Sequence, residues 1–570
     1  MRFQVKKVRT AALWAVPLTF LVLFYFYPLG RILSISLSRG DAGLFAPFVE
    51  ALTSPSMLKI IGFTLWQATL STILTLMLGL PGAYLLARYD FRGKSFVLAL
   101  TGIPFVMPTL VVAAAFNALL GPQGLVNVAL MNLFNLSQPP IEFINTFTAI
   151  LIAHIFYNLT IVLRMVGDFW SHIDPRFNQA AKVLGANSRQ ALMQVTLPLL
   201  MPAIAAAALL VFIFDFTSFG VILVLGGPRY TTLEVEIYNQ TISLFNLPLA
   251  AALSAIQLGC TLGFTVLYTR LSRRVSRPLS LRPQAITQKR LTTWQSRLFA
   301  GFILIMLVGL ETVPLVALAA RSFAVLSPDR GQSSPVSQRL TLAYYRELTI
   351  NRRNSLFYVP PTKAISNSLT YAFTTVILAL AIGLQVAWAL ARDRDSPINR
   401  VMDPVLMLPL GTSAVTLGLG FIVALNRPPL NLRASPVLLP LAHTLVALPF
   451  VVRSLTPAII SIRPRLRHAA SVLGAPDSKV FQHIDLPMVG RALLVAAIFA
   501  FTISLGEFGA TSLISRPENP TIPIMIYRFI SQPGAINYGQ ALALSTILML
   551  ITAVGMLAIE RFRFADVGEF

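Results

Sequence analysis

Two carboxylates stand where a water-soluble protein would not place them. Asp215 lies about twelve residues into the apolar run AIAAAALLVFIFDFTSFG, and Glu507 lies well into AAIFAFTISLGEFG. An ionisable group that deep in an apolar run usually faces a cavity or a partner. As a pair, the two acids would give a path for a solute a negative field, with Phe214, Phe216, Phe219 and Phe508 as aromatic walls. That field suits a cation, above all one with stackable rings, and opposes sulfate or phosphate. The residues leave another reading open: either acid can cap a helix break beside Gly220 or Gly509, or pair with Arg164 or Arg453. His154 and His443 are each alone in an apolar run, without the clustered ligands of a metal site, and read as helix–helix hydrogen bonders. Cys260 can make no internal disulfide. There is no G-x-x-x-x-G-K-[ST] phosphate loop, no Ser/His/Asp set and no paired-Cys site. No covalent step, cofactor or metal is therefore expected in this chain.

The elements that must position these residues are membrane spans. Hydrophobic residues make up 55% of 570 positions and charged residues 12%, with a mean hydropathy of +0.72. A soluble domain is about 25% charged, so the chain lacks the polar atoms to coat a wet surface. Runs such as 11–30, 203–226 and 298–320 match the ~20 residues a helix needs to cross a bilayer. The net charge of +23 invites a nucleic-acid reading, but its placement argues for topology. Arg2, Lys6, Lys7 and Arg9 precede the first run, Arg88, Arg92 and Lys94 follow the second, and 270–297 holds eight Lys or Arg and no acid. Short basic loops beside spans mark the cytoplasmic side, and no nucleic-acid motif accompanies them. The first apolar run reads as a retained helix rather than a signal peptide.

Twelve helices are predicted, near 11–30, 59–87, 95–117, 147–165, 203–226, 247–269, 298–320, 367–391, 401–425, 436–455, 492–515 and 539–560. That count puts both termini and the loops 166–202 and 456–491 inside. The loop 321–366, placed outside, carries seven basic residues; long loops obey the charge rule less strictly, and this one could help dock a partner.

The chain is a duplication. AAKVLGANSRQALMQVTLP recurs as AASVLGAPDSKVFQHIDLP, with Gly185 and Gly474 lying 289 positions apart. The same offset joins His154 to His443, Arg164 to Arg453, Phe219 to Phe508 and Tyr238 to Tyr527; upstream, GLPGAYLLAR matches GLQVAWALAR at an offset of 304. Each half then holds six spans in the same orientation, as parallel repeats. The expected units are 1–269, a basic linker at 270–297, and 298–570.

The repeated loops carry the most specific pattern. Asp174 can cap a helix opened by Pro175. Gly185 can stop that helix in a left-handed conformation, and Asn187 or Ser188 can restart one before Leu197 and Pro198. Pro464, Gly474, Ser478, Leu486 and Pro487 repeat the plan. Val183, Leu184, Val472 and Leu473 set apolar groups beside the turns, suited to a partner's groove.

At these residues the sequence resembles the permeases of bacterial ATP-binding-cassette importers, whose loops carry Glu-Ala-Ala, a glycine and a later Leu-Pro. Ala180, Ala181, Gly185, Leu197 and Pro198 match, as do Ala469, Ala470, Gly474, Leu486 and Pro487. The glutamate position holds Gln179 in one half and His468 in the other. The resemblance implies an all-α membrane fold of the type I, MetI-like kind, with loops that insert into ATPase subunits. It implies two ATPase copies that bind ATP and Mg, an extracytoplasmic substrate-binding protein, and a place in the bacterial inner membrane. Two halves in one chain narrow the likeness to thiamine and iron(III) permeases. The segments FTLWQATLS, LIAHIFYNL and SLGEFGATSLI look most like the thiamine kind. A secondary transporter driven by an ion gradient also uses duplicated helices, but would not need such loops.

Overall fold

The computed structural model describes residues 13–37, 45–275, 288–326, 340–350, 359–392 and 396–562, except 427 and 429. The basic residues before position 13, the middle of the expected linker (276–287) and parts of the basic loop (327–339 and 351–358) lie outside the described residues.

Eleven described helices are long and apolar enough to cross a bilayer, or twelve if one pair bent by 96° is a single span. In the first half they and their shorter companions include α1 (Leu13–Ser36), α2 (Pro55–Arg88), α3 (Lys94–Val106), α4 (Thr109–Phe134, with a turn at 121–124), α5 (Phe147–Ser171), α6 (Arg176–Val183), α7 (Leu197–Phe216), α8 (Gly220–Leu225), α9 (Leu233–Ile242) and α10 (Leu247–Val275). The second half repeats the series as α11 (Trp294–Ser322), α12 (Pro361–Arg392), α13 (Pro397–Met407), α14 (Ala414–Ala424), α15 (Leu438–Ser461), α16 (Pro464–Val472), α17 (Leu486–Gly506), α18 (Gly509–Ile514), α19 (Ile522–Ile530) and α20 (Ala535–Phe562). The protein is a multi-pass, all-helical membrane protein.

Each half is built on three spans packed together, α2 with α5 and α7, and α12 with α15 and α17. Small residues let them approach, as membrane helix interfaces favour. A Cβ on Gly79 would lie 2.7 Å from Val162 Cγ1, and one on Gly383 would lie 2.5 Å from Val451 Cγ1. These two contacts are images of each other, because Gly383 is the upstream counterpart of Gly79 and Val451 the counterpart of Val162. The first span of each half crosses to the other. Helix α1 packs on α14, where the Tyr25 hydroxyl lies 2.7 Å from Thr412 Oγ1, and α11 packs on α4. Helix α20 also leans on α3 and α4. The halves are interlocked around one large apolar cluster drawn from both, with smaller clusters beside it.

Four expected helices are broken where the apolar pattern runs on. The helix expected at 95–117 ends at Val106, since Pro108 pushes Met107 into an extended conformation. The one expected at 401–425 turns by 96°; Thr412 is extended and the Ser413 hydroxyl caps α14 by accepting from Thr416 N–H at 3.1 Å. Those expected at 203–226 and 492–515 break at 217–219 and at Glu507–Phe508. In both, the second piece opens at a glycine pressed on a neighbour. A Cβ on Gly220 would meet Thr109 Oγ1 at 2.3 Å, and one on Gly509 would meet Ala414 Cβ at 2.8 Å. Beyond the undescribed part of the linker, Lys289–Arg290 pairs in parallel with Tyr89–Asp90 at the end of α2.

Candidate functional site

The two repeated loops fold as matched elbows. In the first, Asp174 Oδ1 accepts from Arg176 N–H at 2.9 Å and α6 follows. Its end is a Schellman turn: Gly185 at φ +92° donates to Lys182 O, and Ala186 donates to Ala181 O, each at 3.0 Å. Asn187 and Gln190 then form a reciprocal capping box. In the second elbow Pro464 opens α16, Gly474 sits at φ +82°, and Ala475 donates to Ala470 O at 3.0 Å. Ala180 and Ala469 accept from Leu184 and Leu473. Leu197–Pro198 and Leu486–Pro487 open α7 and α17. Each elbow is tied to the following span by one pair of repeat-matched positions. Thr196 Oγ1 donates to Asn178 Oδ1 at 2.8 Å, and Arg467 Nε donates to Asp485 Oδ1 at 2.7 Å.

What the elbows present is apolar. Val183, Leu184, Val472 and Leu473 are 86–88% exposed, and Gln179 and His468, at the family's glutamate position, are exposed beside them. Exposed apolar side chains at the tips of two equivalent turns mark an interaction surface.

The second region lies at the two helix breaks. Phe219 and Phe508 stack with ring centroids 5.5 Å apart and planes at 19°, one ring from each half. Tyr238 flanks Phe219 at 5.3 Å and Tyr527 flanks Phe508 at 5.5 Å. Four rings thus form a nearly symmetric row across the boundary. Phe214 lies apart from this row and contacts Phe105, while Phe216 contacts Phe212 and Phe264.

Asp215 and Glu507 lie behind the row, 1% and 8% exposed. Asp215 Oδ1 accepts from Asn158 Nδ2 at 2.6 Å, and its carbonyl accepts from Gln67 Nε2 at 2.8 Å. Glu507 accepts from the Ala510 and Thr511 N–H groups at 2.8 and 3.0 Å, and from the Thr511 hydroxyl. It is therefore the cap of α18, the alternative its sequence left open. Arg453 lies 3.7 Å from Asp403 instead. Each acid also faces a histidine: His154 Nδ1 is 3.4 Å from Asp215 Oδ1, and His443 Nε2 is 3.4 Å from Glu507 Oε2.

Further buried acids escaped the sequence reading, Glu311 on α11 and Glu234 among them. Glu234, fully buried on α9, accepts from Gln257 Nε2 at 2.6 Å and from the Ser413 hydroxyl of the other half. Its counterpart is Pro523, so the repeat gave no sign of it.

Residues 79–277 match the model of the binding-protein-dependent transport system inner membrane component family. The chain is 28% identical over 536 residues to the thiamine transport system permease protein of Brucella abortus, covering 93% of this chain and 92% of that protein. It is 26% identical to a probable ABC transporter permease of Sinorhizobium fredii, covering 98% and 96%. It is also 26% identical to the thiamine transport system permease protein of Haemophilus influenzae, covering 97% and 96%. A solved bacterial ABC transporter that imports alginate aligns with 49% of this chain and 100% of its own at 20% identity. Its TM-score is 0.41. With a match to a transport-component domain over residues 79–277 and permease relatives along nearly its whole length, the chain is similar to the permeases of binding-protein-dependent ABC importers.

Proposed function

We propose that this permease carries a small organic cation inward between its two halves, thiamine before iron(III), driven by two copies of a separate ATPase, one under each elbow. The observation that carries the motor's placement is the matched pair of tips, Val183–Leu184 and Val472–Leu473, almost wholly exposed on turns fixed by Gly185 and Gly474. Burying a side chain of that size stabilises an interface by about 1.5–3 kcal/mol. The elbows then lie in the cytoplasm, and an even number of spans puts both termini there. ATP and Mg are held by the ATPase, and a binding protein delivers the solute on the opposite face. Closing the ATPases draws the elbows together and parts the halves on that face.

The path runs between the halves through Phe219 and Phe508, with Asp215 and Glu507 supplying a negative field behind the rings. Flat aromatic faces and buried carboxylates suit an organic cation, and two of the relatives above are named as thiamine permeases. Iron(III) is the second reading, because the same field would attract it. The test is reconstitution with the ATPase and binding protein in liposomes, followed by ATP-dependent uptake of labelled thiamine or Fe³⁺. Accumulation of thiamine alone is expected. Accumulation of iron alone overturns the substrate, and failure of any ATPase to bind the elbows overturns the motor's placement.

A further inference from the structure

The two histidine–carboxylate contacts are the same contact with one part moved. His154 and His443 are repeat counterparts. The counterpart of Asp215 is Ser504, and that of Glu507 is Ser218. Both rings point the same way. His154 directs Nδ1 to Asp215 at 3.4 Å and Nε2 to the Ser218 hydroxyl at 2.8 Å. His443 directs Nδ1 to the Ser504 hydroxyl at 2.8 Å and Nε2 to Glu507 at 3.4 Å and Thr511 at 2.9 Å. Each imidazole therefore spans two positions about one helical turn apart, one holding an acid and the other a serine, in opposite order. The wall behind is shared as well: Ser71 Oγ lies 3.1 Å from His154 Nδ1, and its upstream counterpart Thr375 accepts from Ser504 at 3.3 Å.

The surroundings follow the acid, while the histidine stays fixed. Asn158 serves Asp215, and its counterpart is Ala447. Thr511 serves Glu507, and its counterpart is Ile222. A buried carboxylate is costly unless donors meet it, so each half has local donors where its own acid sits.

We infer that histidine and acid form one repeated bracket, indifferent to which of the two positions carries the charge, that holds the broken span against the span before it. In the first half the bracket joins α5 to the end of α7 and the start of α8; in the second it joins α15 to α17 and α18. Phe219 and Phe508 stand at those breaks, so the bracket sets where the two rings meet. Asp215, Glu507 and the histidines are positioning residues: all four are at most 8% exposed. This rests on the importer reading above, and extends it to how the helix breaks are steered.

The test exchanges the order within one half. D215S removes the acid; D215S/S218E gives the first half the second half's order; N158A and I222T complete its surroundings. Uptake of labelled thiamine per ATP hydrolysed is measured with the full complex. In parallel, F219C and F508C in a C260S background report ring separation through the ATP dependence of a short thiol cross-link. That readout needs no substrate, so a wrong substrate assignment fails the uptake arm in every variant and leaves the cross-link arm able to judge the bracket. D215S is expected to lower coupling by about tenfold, mid-range for a coupling free energy between sites, and to abolish the ATP dependence of the cross-link. The four-residue exchange is expected to restore both. Normal behaviour of D215S, or a monodisperse exchange variant as uncoupled as D215S, overturns the bracket. If that exchange does not fold, the mirror change S504D/E507S/A447N/T511I is scored in the same way, and failure of both to fold also overturns it.

Discussion

The ring of Phe219 lies 5.5 Å from that of Phe508, with 19° between their planes, and each comes from the corresponding break of its own half. If solute passes between the halves, this contact must part in every cycle. A stacked aromatic pair is worth about 0.5–1.5 kcal/mol beyond the area it buries. Leucine keeps apolar bulk there and removes the flat contact, so F219L/F508L should fold and part its rings more cheaply. ATP hydrolysis without solute or binding protein should rise severalfold, roughly fivefold for each kcal/mol released. Hydrolysis in liposomes measures it; an unchanged basal rate would mean the rings are packing and not part of the path.

The elbow tips make a prediction independent of the path. Leu184 and Leu473 are 88% and 86% exposed, so a charge there costs the fold nothing and spoils an apolar docking surface. L184D and L473D should each leave the purified permease as stable as before and weaken ATPase association at least about tenfold, the loss of ~1.4 kcal/mol. Co-purification and thermal unfolding, measured side by side, separate the two effects. Equal loss in both would point to a folding role.

Gly185 and Gly474 differ from the packed glycines of the core. A Cβ at either would meet nothing within 4 Å, yet both sit at positive φ, +92° and +82°. The cost of substitution is therefore backbone strain alone, about 1–2 kcal/mol for an ordinary L-residue. Asn tolerates this region better than Ala or Val. The order of coupled transport should be wild type, G185N, G185A, G185V, with little loss of ATPase binding in G185N. A flat series would show that the turn can re-form another way.

Part of this was legible in the sequence for a physical reason. Hydropathy reports the solvent of a segment, so the spans and their number could be read. The repeat places Gly185 with Gly474 and Phe219 with Phe508 because both members kept their residue types. Hydropathy does not report backbone continuity. The breaks at 217–219 and Glu507–Phe508 lie in unbroken apolar runs, where the sign is a glycine pressed on a neighbour in three dimensions. Nor does it say which helix a span packs on, so the crossing of Tyr25 to Thr412 was invisible. The apolar runs picked out both acids, and the repeat paired the histidines and set each acid opposite a serine, Asp215 with Ser504 and Glu507 with Ser218; that one imidazole spans both positions showed only in the fold. Glu234 was hidden by having Pro523 as its counterpart.

The ties between each elbow and its following span predict an asymmetry between the halves. Asn178 and Thr196 share a neutral hydrogen bond, while Arg467 and Asp485, at the same two positions, form a charged one. Asp485 is only 4% exposed, and the Arg467 guanidinium also lies 5.4 Å from the centre of the Trp388 ring. Alanine at Asn178 leaves the Thr196 hydroxyl with the Ala191 carbonyl at 3.5 Å as an acceptor. Alanine at Arg467 strands a buried carboxylate. A hydrogen bond to a charged group is worth about 1.5–3 kcal/mol and a neutral one about 0.5–1.5. Arg467 is about one-third exposed, so water and salt trim its share to the low end of the charged range. R467A should therefore lower thermal stability more than N178A, and raised salt should narrow the gap. R467N/D485T copies the first half's neutral pair and should recover most of the loss. Thermal unfolding of the four proteins at two salt concentrations decides it: equal losses for R467A and N178A, or no recovery in R467N/D485T, would show that these pairs do not hold the elbows.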